Sequence, residues 1–158
     1  MGWRNMRTVT RDRQVMAEEV RLRNVPSADP SMPYELSFTK QLDVTNPSRY
    51  INDCCIGGDL VLATLLPALE ARYGQVDTGE EDWGWFMWFT QDGLRLAVDI
   101  FTDDYLVGRF RARVATSRRG LLFKWKEVDT AELEELRQIV RAQLASWLGV
   151  SPLVVHVA

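Results

Sequence analysis

In the segment PYELSFTKQLDV the apolar residues Tyr34, Leu36 and Phe38 alternate with Glu35, Ser37 and Thr39. A period of two places alternate side chains on opposite faces, so the pattern predicts a strand with one buried face. From Gly58 the period lengthens. Leu62, Leu65, Leu66, Leu69 and Tyr73 form a helical stripe, with Asp59 near its start and Gly74 at its stop. Pro67 lies within that stripe and predicts a kink or a break, because proline has no N–H for the helical ladder.

The densest apolar run is EEDWGWFMWF, Glu80 to Phe89. Alternation from Trp83 puts Trp83, Trp85, Met87 and Phe89 on one side and Phe86 and Trp88 on the other, which predicts a central strand buried on both faces. The preceding Asp77, Glu80, Glu81 and Asp82 read as a solvated acidic loop. Gln91, Asp92 and Gly93 supply a hairpin turn. Leu94, Leu96, Val98 and Ile100 then make one face of a strand, and Thr102, Asp103 and Asp104 turn the chain again. In the next strand Phe110, Ala112 and Val114 oppose Arg109, Arg111 and Arg113. A turn over 117–120 leads into LLFKWK, where Leu121, Phe123 and Trp125 oppose Leu122, Lys124 and Lys126.

A second helix is predicted from the stripe Leu133, Leu136, Ile139, Val140, Leu144, Trp147 and Leu148. Asp129 with Glu132 has the spacing of a capping box, and Thr130 is the rival cap. Gly149 ends the helix, and the terminal LVVHV reads as a short strand. The predicted order is therefore β-α-β-β-β-β-α-β, an α+β fold with an antiparallel or mixed sheet of about six strands and two main helices. Helices on one sheet face or on both would satisfy this order. The globular domain is expected over 32–158. Residues 1–31, with Pro26, Pro30 and mixed charges, read as a flexible or loosely docked extension.

Composition narrows the function classes. The chain has 158 residues and a formal net charge of −3, the size of one ordinary domain without a global basic field. Charge is uneven: 32–91 hold three basic side chains against nine acids, and 92–158 hold ten against nine. A binding surface is thus expected to be local in sign. Cys54 and Cys55 are adjacent. An ordinary disulfide needs Cα atoms about 4.4 to 6.8 Å apart, whereas neighbours across a trans peptide are about 3.8 Å apart, so two free thiols and a cytoplasmic setting are expected. No secretory h-region and no membrane span are read from the sequence.

Three segments could carry chemistry. In INDCCIGGD, Asn52 and Asp53 offer hydrogen bonds, Cys54 precedes a helix, and Gly57 and Gly58 permit an anion nest. The long connection over 42–57 raises its prior for function. The acidic residues before Trp83 lack any ordered ligand spacing, so no metal, cofactor or catalytic residue is assigned. The alternating Arg109, Arg111 and Arg113 share one sheet face, where pairing with Asp99 and neighbouring carboxylates competes with partner contact.

These features lead to an expected non-enzymatic, bacterial-type accessory or protein-interaction domain, with inhibitor or immunity-like proteins as examples. Its protein-binding residues would be Asn52, Asp53, Arg109, Arg111 and Arg113. Nucleic acid is not the expected partner. The alternative is a small cysteine-dependent enzyme centred on Cys54 beside the Gly57 and Gly58 turn, although the chain's single histidine, His156, lies far away in sequence.

Overall fold

Alternating strands and two helices resolve into one antiparallel sheet with both helices on the same face. The computed structural model describes residues 34–120 and 124–156, with side chains described through 152. The extension expected over 1–31, Leu121, Leu122 and Phe123, and the side chain of His156 lie outside what is described. The elements are β1 (Tyr34–Thr39), α1 (Gly58–Tyr73), β2 (Asp77–Glu81), β3 (Gly84–Gln91), β4 (Leu94–Asp104), β5 (Arg109–Arg119), β6 (Trp125–Glu127), α2 (Ala131–Leu148) and β7 (Leu153–His156). Spatial order is β2-β3-β4-β5-β1-β7, and β6 pairs with β5 farther along its length.

The Asp92 and Gly93 turn fixes the central register. Both residues have left-handed backbones (φ 51° and 76°), as a two-residue type I′ hairpin requires, and Gln91 pairs with Leu94. Trp88 then faces Ala97, and Phe86 faces Asp99. The next hairpin places Val98 opposite Val114 and Ile100 opposite Ala112.

Met87, Leu96, Val98, Ile100, Phe110, Ala112 and Val114 are buried on one side of the sheet beneath Leu65 and Leu69 of α1 and Leu136, Val140 and Leu144 of α2. The helices also pack against each other, so this is a two-layer α+β structure. No helix among the described residues covers the other sheet face.

Three sequence expectations about the sheet are corrected. The acidic segment is largely a strand: β2 pairs antiparallel with β3 from Asp77 opposite Trp88 to Glu81 opposite Gly84. Backbone pairing needs no apolar side chain, and carboxylates on an outer strand discourage further strand addition. Trp83 lies in the β2–β3 turn instead of on the strand, with its ring against Phe101 at 5.5 Å. Finally, β3 is not buried on both faces. Met87 and Phe89 enter the core, whereas Phe86 and Trp88 are half-buried on the side without helices.

Of the kink or break expected at Pro67, the break does not occur, since α1 is continuous from Gly58 to Tyr73. Burial of Val61, Leu62, Leu65 and Leu69 offsets the loss of one backbone donor. The stretch Asp53–Tyr73 is long and apolar enough to cross a membrane by length and composition, and its Val61, Leu62, Leu65 and Leu69 are packed in the core. At α2 the rival cap prevails. Thr130 Oγ1 accepts from Leu133 N at 3.2 Å, while Asp129 lies near Arg137.

Candidate functional site

Strand register builds the face without helices row by row. One row runs Phe86, Asp99, Arg113 and Glu35; a second contains Trp88, Ala97 and Ala115; a third contains Arg95, Ser117 and Glu127. Phe101 and Arg111 oppose each other on the same face. Alternation therefore sends small, charged and aromatic side chains here and aliphatic ones to the core.

The aromatics are organised by cations. Phe86 and Trp88 stack with centroids 4.0 Å apart, and the Arg95 guanidinium carbon sits 3.7 Å from the Trp88 ring centroid. Arg95 also lies 5.8 Å from the half-exposed Trp125. Arg111 covers Phe101 at 5.1 Å, and Phe101 in turn contacts Trp83. Guanidinium groups are weakly hydrated and planar, which suits such stacking.

The same arginines bind carboxylates. Arg111 contacts Asp103 at 2.8 Å and the buried Glu35 at 3.0 Å. Burial works against its charge, but Asp103 and Glu35 outweigh that effect and hold the guanidinium protonated. Arg113 bridges Asp99, at 3.6 Å, and Glu127. Between Trp88, Arg95, Asp99, Arg113 and Glu127 the small residues Ala97 and Ala115 floor a shallow groove of about 220 Å³.

Asp99 is the chemically unusual group in that groove. Burial pushes its carboxyl above the ordinary range, while the Trp88 indole N–H at 3.3 Å and the Arg113 charge act in the opposite direction. A carboxyl raised on folding contributes stability below its unfolded value and loses it as pH rises through the folded one. The unfolding free energy of Asp99→Asn is therefore expected to improve relative to the native protein between pH 4 and pH 7. Parallel denaturant curves across that range check this, and an unchanged difference would show that Asp99 is not held against ionisation.

The loop over 42–57 is fastened to the β2–β3 hairpin. Asn52 Oδ1 accepts from Cys54 N at 2.9 Å, and its Nδ2 donates to Asp82 O. Ile51 N donates to Glu80, Cys55 Sγ to Glu81 O, and Trp85 Nε1 to Cys55 O. Thr102 Oγ1 reaches Ile56 O. Gly57 lies beneath Phe110, Leu42 and Val44, and Gly58 beneath Trp85, so apolar groups fill the space over the two glycines.

Cys54 is exposed, whereas Cys55 is buried. Burial, followed by the nearby Glu80 charge, pushes the Cys55 thiol up to about 11, which keeps it protonated near neutrality. Among the described residues no three His, Cys, Asp or Glu side chains group as a metal site.

Of the residues singled out from sequence, Arg111 and Arg113 share the aromatic face. Asn52 joins it through a chain of contacts: its amide holds Asp82, the next residue Trp83 meets Phe101, and Phe101 lies under Arg111. Asp53 is exposed beside Asn52, and Arg109 is exposed at the start of β5. Trp83, Phe86, Trp88, Arg95 and Phe101 belong to the face but were not singled out. The hairpin signal could have found them, since a two-residue Asp92 and Gly93 turn already pairs Phe86 with the polar face of β4. No family model, curated protein or solved structure matches the chain.

Proposed function

We propose that this chain is a non-enzymatic protein-interaction domain whose contact surface is the helix-free sheet face. The observation that carries this reading is the half-buried set Trp83, Phe86, Trp88 and Phe101, with Arg95 and Arg111 stacked on its rings. Tryptophan and arginine dominate the energetics of many protein interfaces because they contribute broad contact area and directed hydrogen bonds. Here their rotamers are restrained in advance by stacking and ion pairs, which lowers the entropy lost on association.

The charges favour a protein over nucleic acid. Arg111 and Arg113 already meet two carboxylates each, so the face offers no unopposed cationic stripe to a phosphate backbone. Its complement is a protein surface with an apolar centre and charges of both signs around it. Asn52 and Asp53 would extend the contact at the hairpin end, while Arg109 would lie at the margin. An accessory, inhibitor or immunity-like role is the form of activity this reading favours.

The test is affinity capture with immobilised native protein and a doubly substituted Trp88→Ala, Arg95→Ala protein. A partner retained stoichiometrically by the native chain should be lost from the variant, with its circular dichroism spectrum unchanged. Identical retention by both proteins would place the contact elsewhere.

A further inference from the structure

A second site lies at the end of β1. The β1–β7 ladder stops at Ser37 opposite Leu153, leaving Phe38 and Thr39 beyond it, and Gly149 turns the chain away from α2. The resulting groove of about 420 Å³ has apolar walls from Phe38, Leu148, Val150 and Pro152, with Arg109 as its charged lining residue. Val150 is 66% exposed although it is aliphatic.

Arg109 differs from the neighbouring arginines. Arg111 and Arg113 each contact two carboxylates, whereas exposed Arg109 makes no ion pair within 4 Å among the described residues. Its cross-strand neighbour Asp104 turns one oxygen to its own turn, Oδ1 accepting from Leu106 N at 3.0 Å and Val107 N at 3.3 Å, and makes no ion pair with Arg109 within 4 Å. The site thus combines apolar walls with one guanidinium that makes no ion pair among the described residues.

We propose that this groove binds a small monocarboxylate bearing a short alkyl chain. The Arg109 guanidinium donates paired hydrogen bonds to the carboxylate, a geometry both groups favour. The alkyl chain covers Val150, Leu148 and Pro152, and Thr39 and Ser151 also line the groove. One cation matches one carboxylate, whereas a phosphate monoester would bring charge beyond what it neutralises. The volume falls within the roughly 300 to 1,000 Å³ typical of small-molecule sites. This proposal does not depend on the protein-binding role of the aromatic face.

Titration of the isotope-labelled full chain with hexanoate, followed by amide NMR, tests it. Saturable shifts should centre on Thr39, Arg109, Val150 and Ser151. Acetate, lacking the tail, and 1-hexanol, lacking the charge, should each bind at least about tenfold more weakly, and Arg109→Gln should weaken hexanoate by a similar factor. Equal binding of hexanoate and hexanol, or an unaffected Arg109→Gln protein, would overturn the assignment. A short peptide with an apolar C-terminus provides the remaining comparison. Its binding at these amides in preference to hexanoate would assign the groove to a protein chain end and overturn the small-molecule proposal.

Discussion

Replacing Gly84 with alanine is expected to destabilise the protein by roughly 3 to 5 kcal/mol, among the larger effects of a single substitution. Gly84 has φ +150°, a backbone conformation nearly restricted to glycine, at the point where β3 leaves the Trp83 turn. A Cβ there would lie 2.2 Å from Ile100 O, a backbone atom of the neighbouring strand. No side-chain rotation relieves that overlap. The β2–β3 hairpin would have to move away from β4, disturbing the Trp85 opposite Ile100 pairing and the anchors from Ile51, Asn52 and Cys55. Denaturant unfolding measures the effect, and a loss below about 1 kcal/mol would show that β3 tolerates a Cβ at this position.

The sequence made the central architecture legible where hydrophobic period and turn chemistry agreed. Leu94, Leu96, Val98 and Ile100 form a continuous core face after the Asp92 and Gly93 hairpin, and the leucines of both helices meet it. Edge strand β2 was less visible because DTGEE contains no apolar residue. Its stability comes from the backbone ladder and from the Phe86 ring closing over Gly79, neither of which has a short-range hydrophobic period. Thr130 outcompeted Asp129 as the α2 cap by one position, a distinction set by the backbone direction entering the helix.

The candidate surface was only partly legible for a related reason. Phe86 and Trp88 have a core-like composition, which favoured a reading of two buried faces. Their cross-strand partners Asp99 and Ala97, together with Arg95, instead build a polar face that shelters aromatic rings without a covering helix. Arginine stacking allows large aromatics to be half-buried there, so hydrophobicity alone gives the wrong layer. The short groove at Arg109 was not visible from periodicity because it depends on where β7 stops relative to β1.

The division of β3 into a core side and an uncovered side underlies the proposed function. Met87 and Trp88 are adjacent and point in opposite directions, which makes their truncations a direct comparison. Met87 is fully buried among Val98, Leu96 and the helices, so Met87→Ala should cost about 2 to 5 kcal/mol through lost packing and a residual cavity. Trp88→Ala removes a larger group, but from a half-buried position on the face without helices. It loses stacking with Phe86 and Arg95 and one hydrogen bond to Asp99, for an expected cost of about 2 kcal/mol. Size and stability loss should therefore run in opposite order. The most direct measurement is denaturant unfolding of these two variants beside the native protein: Met87→Ala should be the less stable of the pair, while an equal or greater loss for Trp88→Ala would mean that the aromatic face is core.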